Sequence, residues 1–390
     1  MDATGEPLGG QFMNFGFSEE QDDVRNLARQ LFTDMVTPER LAQYDEYRED
    51  RFDRELWNQL AETGLLGVAI AENYGGMGFG FTELALLIEE AGRSIAPVPL
   101  ISHMVSAALP IQEFGGDALK ERMLSAATGT DFLLTAALLE PGNEDLSRPT
   151  ARASGDAESG YRISGVKTCV PFALQANMML LAAESEQGVV VALVDTRAEG
   201  VVVKPLRVST YEPQYRVELE GVEVQPEFLL AGADSGVEVM RWIEERTAAA
   251  ICAHQVGVTD HAMRLTASYT SERQQFGVPV ATFQAVGHRA ADCFIDVDCL
   301  RLCTYQAVSL LDGDKPATTE VQIAKIWAGD VGHRVSYAAQ HLHGGTGIDR
   351  DYSLWRYCLW ARHNELMLGS SAAQLAKLGA RIAVSEGFCA

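Results

Sequence analysis

The sequence has no apolar run of about 18 residues, the length that a membrane-spanning helix requires. Residues 1–15 lack the basic segment and the apolar core of a secretory signal peptide. Basic residues are scarce, with 31 Lys and Arg against 54 Asp and Glu, for a net charge of −23. Because nucleic-acid binding requires clustered cations, this composition argues against a nucleic-acid partner. These absences predict a cytoplasmic protein whose acidic surface favours solubility.

The cysteines give no sign of a metal site. Cys293, Cys299 and Cys303 fall in one helical stretch, and none of the seven cysteines belongs to a CxxC pair. His341 and His343 have no further ligands at suitable spacing. The chain also lacks a phosphate-binding GxxxxGK[ST] loop, a GxGxxG turn after a strand and a GxSxG nucleophile. We therefore expect no bound metal, and cysteines that act as small hydrophobic side chains in a reducing compartment.

Changes in periodicity divide the chain into three predicted domains. Residues 1–130 form a helical domain, in which residues 1–15 are a disordered leader and Ser18 and Gln21 have capping-box spacing. Within residues 131–234, the segments 189–194, 200–203 and 215–222 are predicted strands bounded by Gly, Pro and Asp, the last of them alternating, and 161–165 resembles a strand and turn. Residues 235–390 are predicted to form a four-helix bundle with helices over 237–271, 283–311, 318–341 and 362–385.

Seven short motifs, in order and at suitable spacing, are similar to those of acyl-CoA dehydrogenases. They are Tyr74-Gly75-Gly76-x-Gly78, Glu89-Glu90-x-Gly92-Arg93, Glu140-Pro141-Gly142, Gly165-x-Lys167, Arg273-x-x-Phe276-Gly277, Phe283-Gln284 and Gln340-x-x-x-Gly344-Gly345-x-Gly347. The chain resembles this family over nearly its whole length. The resemblance implies a mainly α fold with an N-terminal helical domain, a middle β-barrel or sandwich and a C-terminal four-helix bundle. It also implies removal of a Cα proton and a Cβ hydride from an acyl-CoA thioester.

The resemblance implies FAD at a subunit interface, where one subunit holds the isoalloxazine and its neighbour holds the adenosine diphosphate portion. The second role belongs to the R-x-x-F-G and Q-x-x-G-G segments, here Arg273, Phe276, Gln340, Gly344 and Gly345. An arginine offers a charged fork to a pyrophosphate, and glycines let backbone N–H groups approach phosphate closely. Taken alone, the arginine could instead end a surface helix, and the glycines could merely form a turn. The family Gln falls one residue later than Gln340, at a histidine.

The flavin half of the motif set differs from the family pattern at three positions. Leu139 stands where a Thr bonds the pyrimidine edge, Cys169 where an aromatic ring packs on the flavin, and Pro171 where a Thr bonds N5. Proline has neither a hydroxyl nor an N–H group to donate. The sequence therefore predicts an incomplete flavin pocket on this chain.

The position of the catalytic base is also altered. The Glu of the family pattern A-R-x-x-x-x-Y-E-G-T-S falls on Leu368, and the alternative position in the first bundle helix falls on Thr247. Glu244, one turn before Thr247, is the weak in-chain candidate, although its default role is a solvated surface charge. His254 and Asp260 could be polar groups at a subunit or domain contact.

These observations favour one interpretation and leave two alternatives open. The favoured one is a subunit that lacks the catalytic Glu in an α2β2 acyl-CoA dehydrogenase, with a paralogous subunit and an electron-transfer flavoprotein as partners. Residues 344–379 are similar to actinobacterial subunits, several of which act on bulky acyl-CoA thioesters such as steroid side chains. The alternatives are a homotetrameric dehydrogenase with an atypical base such as Glu244, and a catalytically silent scaffold subunit.

Overall fold

The amino-terminal part of the chain is helical. The computed structural model of the protein describes residues 16–45 and 52–384, so the leader predicted for residues 1–15 lies outside the described residues. The helices are α1 (Glu19–Met35), α2 (Pro38–Ala42), α3 (Arg54–Glu62), α4 (Phe81–Ser94), α5 (Leu109–Phe114) and α6 (Asp117–Ala127). A π-helical segment, Ile101–Ala108, runs directly into α5.

The start of α1 follows from its sequence. Ser18 Oγ accepts a hydrogen bond from the backbone N–H of Gln21 (3.2 Å), and Gln21 Oε1 accepts one from the backbone N–H of Ser18 (3.0 Å). The predicted capping box is thus confirmed. Four-residue spacing then places Val24, Ala28 and Phe32 on one buried face of the helix.

Eight strands form one mixed sheet in the middle of the chain. They are β1 (Leu134–Ala137), β2 (Arg152–Asp156), β3 (Gly160–Pro171), β4 (Met178–Glu184), β5 (Val189–Asp195), β6 (Val201–Leu206), β7 (Gln214–Val224) and β8 (Leu229–Ala231). The strand order is β6-β7-β3-β2-β4-β5-β8, and β1 pairs in parallel with β4. The prediction of a mainly helical chain with a central β region is confirmed.

Strand β4 is buried on both of its faces, and its alternate residues enter two different cores. Leu180 and Ala182 pack in the core shared with the helices, whereas Met179, Leu181 and Ala183 pack in a second core between the strands. This alternation follows the two-residue period of a strand. Burial on both faces explains why the segment is almost continuously hydrophobic.

The carboxyl-terminal region is a helical bundle. Its helices are α7 (Gly236–Glu272), α8 (Gln284–Asp312), α9 (Thr318–His343), α10 (Leu354–Leu366) and α11 (Ser371–Val384). A short hairpin of β9 (Gln274–Gln275) and β10 (Val278–Pro279) joins α7 to α8. Among the described residues, none of these helices is both long and apolar enough to span a membrane.

The prediction of a single fourth bundle helix over 362–385 is wrong. Helix α10 begins earlier, at Leu354, and ends at Leu366, and a short non-helical break separates it from the start of α11 at Ser371. At the break, Leu368 and Gly369 have φ values of 54° and 95°, which no right-handed helix accommodates. The buried Lys325 of α9 stabilises the break, because its Nζ donates to the backbone carbonyls of Asn364 (2.9 Å), Glu365 (2.9 Å) and Gly369 (3.1 Å).

Candidate functional site

A cavity of about 90 Å³ lies where α4, the π-helical segment, β1, β3, α7 and α10 meet. Most of its wall is apolar. The apolar wall includes Ile88, Ala91, Val98, Leu100, Leu138 and Ile251. A small set of polar side chains interrupts this wall, which is the usual composition of a small-molecule site.

Both sequence positions predicted for a catalytic base line this cavity. Leu368 is 5% exposed and is held in its left-handed conformation by a hydrogen bond from Gln374 Nε2 to the Leu368 carbonyl (2.7 Å). The Thr247 hydroxyl is 3.0 Å from the hydroxyl of Ser106, which also lines the cavity. A leucine cannot accept a proton, and a threonine hydroxyl is far too weak a base to do so. These two positions therefore supply no general base.

Glu244, the weak in-chain candidate, does not line the cavity. Its carboxylate accepts a hydrogen bond from Lys377 Nζ of α11 (2.9 Å), and its side chain is 24% exposed. The neighbouring Glu245 accepts a hydrogen bond from the Thr318 hydroxyl (2.5 Å). Glu244 and Glu245 thus tie α7 to α11 and to the start of α9, and the structure does not bring them to the base positions.

Glu212, which belongs to none of the sequence motifs, lies in the loop between β6 and β7 and lines the cavity. Its Oε2 accepts a hydrogen bond from Gln214 Nε2 (2.7 Å) and lies 3.6 Å from His363 Nε2. Burial lowers the pKa of His363, although the Glu212 charge opposes this. Among the described residues, Glu212 is the one carboxylate that lines the cavity. No local pattern signals it, because loop and helix meet only in the folded chain.

Leu139, Cys169 and Pro171, the three departures from the family's flavin contacts, line the same cavity. Cys169 has a φ of 49°, and the backbone of Leu139 pairs with that of the residue before Cys169. The Pro171 carbonyl already accepts the Thr135 hydroxyl (2.5 Å). This wall therefore presents no hydroxyl donor at the two threonine positions and no aromatic ring at the third, so it lacks the side-chain groups that the family pattern offers to an isoalloxazine.

A second region assembles at one end of the bundle, where α7, α8 and α9 converge. Tyr269, one turn before Arg273, stacks on His343 with ring centroids 4.3 Å apart, and its hydroxyl lies 3.3 Å from the His343 carbonyl. Arg289 of α8 lies 2.5 Å from His341 Nδ1, next to Gln340 in the last turns of α9. Residues that are distant in sequence are thereby brought to one surface.

The predicted adenosine-binding residues are exposed or half-buried at this end. Phe276 and Gly277 form the two-residue turn of the β9–β10 hairpin, with φ values of 54° and 81°. Gly344 ends α9 with φ 61° and ψ −136°, and a Cβ at Gly344 or at Gly345 would have no neighbour within 4 Å. Open backbone of this kind lets an anion approach closely, so the surface fits a pyrophosphate.

The side chain of Phe276 is 95% exposed. The left-handed region costs a residue other than glycine about 1–3 kcal/mol of backbone strain. The hairpin therefore holds a large aromatic ring in solvent at an energetic cost, which is typical of a side chain that contacts a ligand or a partner. Gln340, by contrast, packs its backbone against Gly347, where a Cβ would lie 2.8 Å from the Gln340 carbonyl.

Asp260, predicted to be a polar group at a subunit or domain contact, is buried where α4, α7 and α8 meet. It pairs with Arg93, with Arg264 (2.8 Å) and with Arg301 (3.4 Å), and Arg93 also binds Glu89 (2.8 Å). Burial raises the pKa of Asp260, but the surrounding arginines outweigh this and lower it. Asp260 therefore joins the first helical region to the bundle.

Comparison with known proteins agrees with this architecture. Residues 18–130 match the family model described as the N-terminal domain of acyl-CoA dehydrogenase, and residues 234–383 match the one described as its C-terminal domain. The chain belongs to the acyl-CoA dehydrogenase family. Its fold is the acyl-CoA dehydrogenase fold, as the resemblance predicted.

Similar proteins include acyl-CoA dehydrogenase FadE27 of Mycobacterium tuberculosis, which is 34% identical over 95% of this chain and 99% of its own length. A chain of the crystal structure of the ChsE4–ChsE5 complex from the same organism is 34% identical, with a TM-score of 0.89 over 96% of this chain and 100% of that one. A chain of the Tcur3481–Tcur3483 steroid ACAD is 38% identical, with a TM-score of 0.87 over 94% of this chain and 98% of that one. The acyl-CoA dehydrogenases are oxidoreductases.

Proposed function

We propose that this chain is the subunit without a catalytic base in an α2β2, FAD-dependent acyl-CoA dehydrogenase. A paralogous subunit supplies the isoalloxazine pocket and the catalytic Glu, and this chain holds the adenosine diphosphate portion of the same FAD. One observation carries the proposal. Leu368 and Thr247 stand at the two positions of the family's base, and both line the cavity without a group that removes a proton.

Glu212 does not restore the missing activity. A dehydrogenase needs a hydride acceptor beside its base, and the wall formed by Leu139, Cys169 and Pro171 lacks the donors that hold a flavin. Glu212 is also engaged by Gln214 (2.7 Å) and faces His363 (3.6 Å). We therefore assign both the base and the flavin pocket to the partner chain.

The end of the bundle supports the adenosine-binding role. Arg273 follows the last residue of α7 and presents a permanently charged, planar fork, which suits a pyrophosphate. The exposed Phe276 ring offers a flat face to a nucleobase, and Gly344 and Gly345 offer open backbone. When bound across the interface, FAD supplies the hydride acceptor, and these residues of this chain hold and orient its distal half.

The surface of the bundle supports a partner subunit. Large apolar or aromatic side chains of the bundle and of its connecting hairpin are 37–95% exposed in the isolated chain: Phe276, Phe283, Phe294, Ile295, Leu302, Tyr337 and Ile348. Exposed hydrophobic surface of this kind is typical of an interface. Two similar chains come from assemblies of two differently named components, ChsE4–ChsE5 and Tcur3481–Tcur3483, which favours a heteromeric partner here.

The same relatives favour a bulky acyl-CoA thioester as the substrate of the assembled enzyme. The Tcur3481–Tcur3483 protein is described as a steroid ACAD, and its chain is 38% identical to this one. We propose a steroid side chain or a comparably bulky acyl group as the substrate, and an electron-transfer flavoprotein as the acceptor of the electrons.

Purification of the chain alone and with its neighbouring paralogue tests the proposal. Because the flavin wall of this chain is incomplete, we expect the chain alone to be colourless or to hold far less than one FAD per polypeptide. The co-purified complex is expected to hold about one FAD per pair of unlike chains, measured by flavin absorbance against protein concentration. A yellow homomer with one FAD per chain contradicts the proposal and makes Glu212 the first residue to test as a base.

Arg273→Ala is expected to weaken FAD binding by the complex about ten- to a hundredfold. The change removes a charge-assisted hydrogen bond to phosphate, which contributes about 1.5–3 kcal/mol. FAD dissociation constants are measured by fluorescence titration of the apo-complex. Arg148→Ala is the matched control, because Arg148 is an exposed arginine in the loop between β1 and β2. Equal FAD affinity in the two variants, with unchanged melting temperatures, removes Arg273 from the site.

A further inference from the structure

His254 lies in the wall of the cavity, and a chain of hydrogen bonds fixes its tautomer. The chain begins at two backbone carbonyls, those of Ala328 and Ala361, which accept hydrogen bonds from Gln255 Nε2 (3.0 and 3.1 Å). These two acceptors fix which atom of the Gln255 amide is the nitrogen, so the other atom, Oε1, is an acceptor. It accepts a hydrogen bond from Asn364 Nδ2 (2.8 Å).

The same Asn364 amide nitrogen lies 2.9 Å from His254 Nδ1. Because this nitrogen is a donor, His254 Nδ1 must accept and carries no proton. Burial lowers the pKa of His254 to about 3, so the ring is neutral at neutral pH and its single proton resides on Nε2. The side chain is 7% exposed, and its ring lies against Trp360 with centroids 5.1 Å apart.

His254 Nε2 has no hydrogen-bond partner among the described residues, whereas Nδ1 has one. Nε2 keeps some accessible surface, so its N–H group is free to donate to a molecule in the cavity. The wall around it is mostly apolar, with Ile88, Val98 and Ile251 among its side chains, and none of the acceptors of the described residues forms a hydrogen bond with Nε2. The carbonyls of Ala328 and Ala361 and the amides of Gln255 and Asn364 thus fix the tautomer of His254. Its Nε2–H group is left as an unused hydrogen-bond donor at a largely apolar cavity.

The charge around the cavity narrows the class of ligand. Glu212 is a carboxylate in the same wall, and it receives a hydrogen bond from Gln214 (2.7 Å). An anionic ligand would be repelled by Glu212 and would lose its hydration against the apolar wall. A neutral molecule with one acceptor oxygen and an otherwise apolar surface matches both the donor and the wall.

We propose that the cavity of this chain is a non-catalytic binding site for a neutral, apolar molecule with a carbonyl oxygen, which accepts the hydrogen bond of His254 Nε2–H. The inference rests on the proposed function in one respect, since the isoalloxazine must lie on the partner chain and leave this cavity free. The ligand undergoes no chemical step here, because the cavity holds neither a base at the family positions nor a hydride acceptor.

The test compares two isosteric probes, cyclohexanone and methylenecyclohexane, which differ in a carbonyl oxygen against a methylene group. Binding to the FAD-loaded complex and to the chain alone is measured by calorimetry and by the rise in melting temperature. We expect the ketone to bind about tenfold more tightly than the alkene, the factor that one hydrogen bond to a neutral donor provides. His254→Phe is expected to abolish this preference, and His333→Phe, at an exposed histidine of α9, to leave it unchanged.

A second variant separates loss of the donor from loss of folding. Ala136→Leu fills the cavity from β1 and replaces no residue of the Gln255–Asn364–His254 chain, and it is expected to abolish binding of both probes. Circular dichroism and melting temperature establish that each variant is folded. Equal binding of ketone and alkene, or binding of neither probe to the folded wild type, overturns the inference.

Flavin content, measured on the same samples, distinguishes failure of the inference about the cavity from failure of the proposed function. A colourless chain that does not bind cyclohexanone overturns the inference about the cavity and leaves the proposed function intact. A chain that is yellow when purified alone overturns the proposed function itself, because the isoalloxazine then occupies this chain.

Discussion

Replacing Lys167 with methionine is expected to destabilise the folded chain by about 3–5 kcal/mol, the usual effect of removing one partner of a buried ion pair. Lys167 Nζ lies 2.6 Å from Glu140 Oε1 and 2.8 Å from the Ala182 carbonyl, and both charged side chains are at most 2% exposed. Burial raises the pKa of Glu140, but the Lys167 charge and further hydrogen bonds outweigh this and bring it to about 2. Methionine fills a similar volume without the charge, so the carboxylate is left buried and unpaired.

The matched control is an exposed pair in the same sheet. Lys204 and Glu218 join β6 to β7 with Nζ and Oε2 2.6 Å apart, but their side chains are 54% and 33% exposed. Water screens this pair, so Lys204→Met is expected to cost less than about 1 kcal/mol. The free energy of unfolding is measured by urea denaturation at pH 7. Similar losses in the two variants would mean that burial does not set the strength of the Lys167–Glu140 pair.

Acidification from pH 6.5 to pH 4.5 is expected to lower the free energy of unfolding by about 5 kcal/mol through two buried histidines, His103 and His254. Burial lowers the pKa of His103 to about 4 and that of His254 to about 3, against an ordinary value of 6.5. Between pH 6.5 and pH 4.5 the unfolded chain binds protons at both positions and the folded chain does not. Stability therefore falls with pH, by about 1.4 kcal/mol per pH unit for each histidine.

His103 also makes two hydrogen bonds that require a neutral ring. Its Nδ1 accepts from the backbone N–H of Leu134 (2.9 Å), and its Nε2 donates to the carbonyl of Ala127 (2.9 Å). The measurement is urea denaturation at half-unit pH steps. His254→Phe is expected to reduce the slope of stability against pH by about 1.4 kcal/mol per unit. A slope near zero for the wild type would contradict the burial argument.

Much of the fold is encoded in local patterns. The capping box at Ser18 and Gln21 fixes the start of α1, alternation predicts β7, and a short apolar run predicts β5, which is buried on both faces. Periodicity does not reveal the end of α10, because the break at Leu368 depends on Lys325, about forty residues earlier, which donates hydrogen bonds to three carbonyls around it. Helical periodicity reports which face is buried, and it does not report a distant side chain that ends a helix.

For the cavity too, the sequence reveals the residues at motif positions and misses those whose roles depend on contacts between distant segments. Leu368 and Thr247 were identified because they occupy known motif positions, and both line the cavity. Glu212 belongs to no motif and Asn364 falls at an unspecified position of one, so neither is signalled by the sequence, and their roles depend on contacts with His363 and His254. Spacing along the sequence carries no record of such contacts.

The exposed ring of Phe276 affects how long a copy of the chain without a partner persists in the cell. A newly made copy without its partner displays this ring and the apolar side chains of α8, such as Phe294 and Ile295, to the surrounding medium. Surfaces of this kind are recognised by chaperones and proteases and promote aggregation. On the proposed function, the abundance of this chain therefore follows the synthesis of its partner, and balanced co-translation of the two genes becomes a requirement for a stable pool of enzyme.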